Sequence, residues 1–312
     1  MLHVRVITPP QHTEEVRRLL TADDAVAHVI VLAGAALSPA GDVVEFDVVR
    51  EGASPLLDSL RDLGLEEDGS IVVERVDATI SAAADRAARR TPGLGVDAVV
   101  WHEIEHQTGE ETQLSASFLA FMTIAMIIAA IGVLLDQPIL IVGSMVVGPE
   151  FGPLAAMCVG LARWRPPLVR RAALALGVGF PFAMLLTVVA VWLLTAAGLV
   201  DKSMLLAERP LTDFIWRPDA LSWVIGFLGG VAGILSLTSA KAGTLVGVLI
   251  SVTTVAAAAN AAVAVAYGVR YEAAGSTLQL VINLAAIILA GVLTLLVQRV
   301  AWHRWPRGGT SQ

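Results

Sequence analysis

Residues 138–161 read PILIVGSMVVGPEFGPLAAMCVGL, and this stretch decides the architecture of the chain. It is long enough to cross a bilayer, which takes about 20 apolar residues. Yet its centre, G-P-E-F-G-P, sets Glu150 between Gly148-Pro149 and Gly152-Pro153. Proline removes a backbone donor and crowds the preceding turn, and glycine relaxes the backbone, so the helix is expected to kink or unwind there. Broken backbone at membrane depth survives only where protein or a water-filled cavity covers it. A carboxylate facing lipid costs about 2.5 kcal/mol or more, so Glu150 is expected to point into a bundle or a pathway.

Composition supports a membrane protein with a soluble part attached. Mean hydropathy is +0.73 with 56% hydrophobic residues, unevenly spread. Residues 1–113 hold 9 Lys and Arg against 21 Asp and Glu, net −12, and the remainder hold 12 against 7, net +5. An acidic soluble half repels phosphates, which argues against a nucleic-acid partner. The opening MLHVRVITPP has neither a basic start nor an apolar core, so no signal peptide is expected and the first domain is expected to stay cytoplasmic. Cys158, the one cysteine, can form no intrachain disulfide and reads as a packing residue.

The soluble part alternates short β-rich and helical segments. Leu2–Thr8, Val26–Leu32, Gly41–Val49 and Ser70–Val76 read as strands, with helices over Glu14–Leu20 and Leu56–Leu63. The order β-α-β-β-α-β is the ferredoxin-like split βαβ plan, which serves ligand sensing and oligomerisation alike. The expected organisation is a ferredoxin-like cytosolic domain over residues 1–77, a helical connector over 78–113, a six-span α-helical membrane domain over 114–301 and a cytosolic tail over 302–312. In the connector, Ala78–Arg90 reads as a helix, Thr91–Gly95 as a linker and Val96–Thr112 as an acidic helix.

Six segments have the length of a span: Leu114–Leu135, Pro138–Leu161, Ala172–Ala197, Ala220–Leu237, Gly243–Tyr267 and Ser276–Gln298. With both termini inside, 8 Lys and Arg lie on inner connections and 4 (Lys202, Arg209, Arg217 and Arg270) outside, as the positive-inside rule requires. Sliding the chain against itself by 104 residues lays the first three spans over the last three without a gap. Units of three spans must insert in opposite directions, an inverted repeat of the kind that many secondary transporters use, with a site at the midplane. Glu150 then overlays Thr254. The expected site is Glu150 with Gly148, Pro149, Gly152 and Pro153, faced by Ser251, Thr253, Thr254 and Asn260 of the fifth span and by Gln279 and Asn283 of the sixth.

Trp101-His102-Glu103-Ile104-Glu105-His106 also satisfies the zinc-peptidase patterns H-E-x-x-H and H-x-x-E-H. Two imidazoles on one helical face would hold the metal while Glu103 acted as base, but no third ligand is evident. The stronger reading is a solvated acidic helix with no metal, no cofactor and no enzymatic activity.

The runs IGVLLDQPILIVGSMVVGPEFGPLAAMCVGLA and GGVAGILSLTSAKAGTLVGVLISVT resemble the bacterial membrane family catalogued as domain of unknown function 389. The resemblance implies architecture, and a multi-pass place in a bacterial inner or plasma membrane, rather than a reaction. The family carries proline after its I-S-V-T run, where this chain has Val255-Ala256-Ala257, and its pattern does not include His102 or His106. Two functional classes follow. One is a transporter or channel for a small solute or ion, with a cytosolic regulatory or oligomerisation domain that takes a small ligand or assembles a homo-oligomer. The other is an oligomeric sensor or scaffold without transport.

Overall fold

The structure is a computed structural model that describes residues 1–76, 79–91, 99–238 and 246–304, with residues 246–253 and 301–304 described by backbone only. The chain forms two compact units, one containing Met1–Ile104 and the other Glu105–Leu237 with the described residues up to Val297.

The first unit runs β1 (Leu2–Thr8), α1 (Pro10–Ala22), β2 (Val26–Leu37), β3 (Ala40–Val48), α2 (Arg50–Asp62), a single turn α3 (Leu65–Asp68) and β4 (Ser70–Arg75). The strands form one antiparallel sheet in the order β2-β3-β1-β4, so β1 lies between β3 and β4 as the split plan demands. Strand alternation explains the core: Leu2, Val4 and Val6 turn inward and meet Val16 and Leu20 of α1 and Leu56, Leu57 and Leu60 of α2. Helix α1 starts four residues earlier than its apolar face implies, because Pro10 at its first position lacks only an N–H that has no intrahelical partner anyway. Helix α4 (Ala82–Arg90) is capped by Ser81, whose hydroxyl accepts from the Ala83 and Ala84 N–H groups. Helix α5 spans Trp101–Glu111, and most of the predicted linker lies outside the described residues.

The second unit continues with α6 (Ala116–Leu134), α7 (Pro138–Val147), α8 (Phe151–Ala162), α9 (Pro166–Ala196), α10 (Lys202–Leu206), a 3-10 turn at Asp213–Ile215, α11 (Ala220–Thr238), α12 (Val246–Ala266) and α13 (Arg270–Arg304). Helices α6, α9, α11 and α13 are long and apolar enough to cross a bilayer. The α7–α8 pair, bent by 59°, makes a fifth candidate when counted as one span. The apolar part of α12 with described side chains covers Thr254–Ala266, so among the described residues four to five of the predicted six spans are found. Two boundaries also move. Helix α9 starts at Pro166 rather than Ala172 and α13 at Arg270 rather than Ser276, because backbone hydrogen bonding carries a helix past the apolar limit that hydropathy detects.

Helix α12 is the centre of this unit and packs against α6, α7, α8 and α9. Its residues from Val255 to Ala264 are all buried, and alanine lets the neighbouring backbones come close. Helix α12 runs unbroken through Val255-Ala256-Ala257. On α11, a side chain at Gly230 would meet the Ile287 carbonyl of α13 at 2.6 Å.

One numerical regularity runs through the unit. Helix α6 (Ala116–Leu134) and helix α11 (Ala220–Thr238) have bounds that differ by 104 at both ends, as do the end of α8 from the end of α12 and the start of α9 from the start of α13. The caps repeat too: Ser115 accepts from the Phe118 N–H, and Asp219 from the Ser222 N–H. The α8–α9 turn closes through Arg163, Trp164 and Arg165 N–H groups to Val159, Leu161 and Gly160 carbonyls. The α12–α13 turn closes through Tyr267, Gly268 and Val269 to Val263, Val265 and Ala264, the same pattern at the same offset. Trp164 and Gly268 both adopt positive φ there, 53° and 71°.

Candidate membrane-embedded polar site

The G-P-E-F-G-P segment is a helix break. Helix α7 stops at Val147, with the Gly148 N–H closing on the Ser144 carbonyl at 3.1 Å, and α8 starts at Phe151. Pro153 therefore falls in the first turn of α8, where a missing N–H disrupts nothing, and Pro149 falls in the break itself. Glu150 is wholly buried at the start of α8, and its carboxylate folds back over Gly148. A side chain at 148 would occupy the space of that carboxylate, so glycine is the residue that fits.

Thr254 of α12 donates its hydroxyl to Glu150 Oε1 at 3.3 Å, and both residues are fully buried. A buried carboxyl without a partner is costly, and this hydroxyl supplies one. Beside the break lies a cavity of about 490 Å³, lined by Met145, Gly148, Pro149, Phe151 and Gly152 on one side and by Glu110, Glu111, Ser115, Phe118 and Phe121 on the other. Glu111 rests against Gly152, where a Cβ would lie 2.5 Å from both the Cβ and Oε2 of Glu111. Burial raises the Glu111 carboxyl above the usual range, and the neighbouring Glu110 charge adds to this against a hydrogen bond from Gln107.

The other predicted residues do not form a single site. Asn260 follows Thr254 by six residues, about 240° around α12 and about 9 Å along it, so it leaves the Glu150 face. It is bonded instead into a second buried cluster. Its Nδ2 donates to Ser276 Oγ at 2.7 Å and Glu272 Oε1 at 3.1 Å, and its Oδ1 accepts from Arg209 Nη1 at 3.3 Å. Arg209 and Glu272 form an ion pair with 4% and 2% of their side chains exposed. Arg209, counted in the sequence among the charges of the outer connections, is thus buried in this cluster. Gln279 donates to Asn283 at 3.4 Å on α13. Ser251 and Thr253 lie outside the described side chains.

Sequence reasoning missed Arg209, Glu272 and Ser276. The available signal was the offset itself, since Arg209 stands 104 residues after Glu105, another charge just outside a span. A cleft of about 420 Å³ ends on Arg209 and Glu272 and is lined also by Trp216, Arg217 and Tyr271. On the same face, Asp136 in the α6–α7 turn accepts from the Thr212 hydroxyl at 2.8 Å.

The peptidase pattern is engaged elsewhere. Glu103, its would-be base, pairs with Arg75 and lies 3.7 Å from Arg50, and His102 Nε2 lies 3.2 Å from Asp58. The His106 side chain is exposed, 3.9 Å from Glu110. Among the described residues, no group of three or more His, Cys, Asp or Glu is placed to hold a metal ion.

Apolar helices of bilayer length, with a carboxylate buried at a helix break among them, put the chain in the class of multi-pass membrane proteins. Residues 145–289, which contain the break, α8 to α12 and the first 20 residues of α13, match the family model described as Domain of unknown function (DUF389). That match agrees with the resemblance carried by the G-P-E-F-G-P segment and assigns no activity. No curated protein and no solved structure matches the chain.

Proposed function

We propose that the chain is a transporter or channel for a small solute or ion and not an enzyme, with six spans arranged as an inverted repeat and both termini cytoplasmic. The observation that carries the reading is the hydrogen bond between Thr254 and Glu150, two buried residues 104 positions apart, the same offset that relates the helix bounds, caps and turns. Equivalent positions of two related halves touch only near the axis that relates them, and in an inverted repeat that axis lies in the membrane plane. A buried carboxylate there, at broken backbone and beside a cavity, has the attributes of a site for an ion, a proton or a solute. The amino-terminal domain is the regulatory or assembly module.

The test is flux in sealed proteoliposomes, read for protons with an entrapped pH-sensitive dye and for labelled alkali cations, amino acids and organic acids. Native protein is expected to carry at least one of these, and Glu150→Gln, eluting as the native assembly does, to lose it. Native protein that moves none of them would leave the sensor or scaffold reading in place.

A further inference from the structure

Two ion pairs sit at matching places in the two halves with their charges reversed. In the first half, Glu105 of α5 pairs with Arg163 in the α8–α9 turn at 2.9 Å, with Arg165 at 3.8 Å. In the second, Arg209, which stands 104 residues after Glu105, pairs with Glu272 in the first turn of α13. Each pair ties the segment before a half's first helix to the junction of its second and third helices.

The two ties lie at opposite ends of the bundle. Arg163 precedes α9, whose 31 residues extend for about 46 Å. At the far end of α9, Thr195 bonds Tyr267 at 2.8 Å and Trp192 bonds the Ala266 carbonyl at 3.0 Å, next to the start of α13 and Glu272.

The ends differ in closure. The Arg209–Glu272 pair is sealed and cross-braced by Asn260 and Ser276, and the cleft outside stops on it. The Glu105–Arg163 pair keeps 17% and 21% of its side chains exposed. Further along α5 than that pair, whose residues are not in its wall, the 490 Å³ cavity extends from Glu110 and Glu111 to the residues flanking Glu150.

We propose that these pairs are the two gates of an alternating-access cycle, with the Arg209 tie sealed and the Glu105 tie formed but partly exposed in this structure. The inference rests on the transport reading and deepens it. A device with related halves exchanges the roles of its ends, and a tie that is tight at one end and loose at the other is what each half-cycle requires. The reversed charge order prevents neither tie, since each end keeps one acid and one base.

The experiment is labelling of Gln279→Cys in a Cys158→Ser background with a membrane-impermeant maleimide applied from the Arg209 face. Gln279 is buried one turn beyond Ser276, so the native pair should shield it. Glu272→Gln is expected to speed labelling about tenfold, and the exchanged pair Arg209→Glu with Glu272→Arg to return it toward the native rate. Glu105→Gln, which loosens the other end, is expected to slow labelling from this face.

Equal rates in native and Glu272→Gln proteins of unchanged elution would overturn the proposal. So would faster labelling in Glu105→Gln, which would mean general loosening, or an exchanged pair that labels like Glu272→Gln. If Glu272→Gln does not fold, the exchanged pair and Glu105→Gln still decide. Accessibility is read without a substrate, so opposed switching with no flux would sink the transport reading and leave the two coupled ties standing.

Discussion

Replacing Gly152 by alanine tests the packing that frames Glu150, and the structure sets the sign of the result. A methyl at position 152 would lie 2.5 Å from the Cβ of Glu111, an atom fixed by its own backbone, so α5 or α8 must shift. Overpacking of this kind costs about 1–3 kcal/mol. Against it stands the helix preference for alanine over glycine, about 0.8–1.0 kcal/mol in a helix interior and less in the first turn, where Gly152 sits. The net effect of Gly152→Ala is therefore destabilisation by about 0.5–2.5 kcal/mol. In a Glu111→Gly background the obstructing atom is gone, and the same change should become neutral or stabilising, a coupling of about 1–3 kcal/mol. The assay is thermal unfolding in detergent with a thiol-reactive fluorogenic dye, using buried Cys158, the one cysteine, as reporter. At about 2–4 °C per kcal/mol the native-background loss is a few degrees. An effect of Gly152→Ala that is the same in both backgrounds would refute the placement of Glu111 against the break.

Three further outcomes follow from the same structure, besides the Glu150→Gln flux loss and the opposed labelling. Arg209→Ala strands the buried Glu272 without its cation and should cost about 3–5 kcal/mol, whereas Glu105→Ala, from a partly exposed pair, should cost about 1 kcal/mol or less; similar losses in denaturant unfolding would contradict the unequal burial. Burial first, and then the Glu110 charge, raise the Glu111 carboxyl, so the folded state holds that proton more tightly than the unfolded chain does. Ionising Glu111 therefore opposes folding. Stability should fall as pH rises from about 4.3 through the raised value, and Glu111→Gln should flatten that decline in melts taken between pH 4 and 8.

Much of the fold was legible because it depends on local chemistry. Alternation of apolar residues marked the four strands, and their order follows once β1 must sit between β3 and β4. Glycine and proline flanking Glu150 marked the break, since both act on the backbone where they stand. The spacing of 104 laid Glu150 over Thr254 along the chain, and the two side chains are hydrogen-bonded in the structure. The starts of α9 and α13 were misplaced because hydropathy reads charges as span limits, while the helix ladder continues through Arg170, Arg171 and Glu272.

What the sequence by itself determined, then, is the alternation, the apolar runs, the break and the offset, each a property of a few neighbouring residues or of a count along the chain. Only the tertiary structure decided that Asn260 turns away from Glu150 to Arg209, Glu272 and Ser276, and that Glu111 seats on Gly152. The physical reason is that a charged side chain outside an apolar run has no buried partner until packing brings a distant segment over it. The connection from Leu199 to Asp219 is only a charged stretch between apolar runs in one dimension, and in three it carries Arg209 into the bundle, where Glu272 offsets the cost of burying its charge.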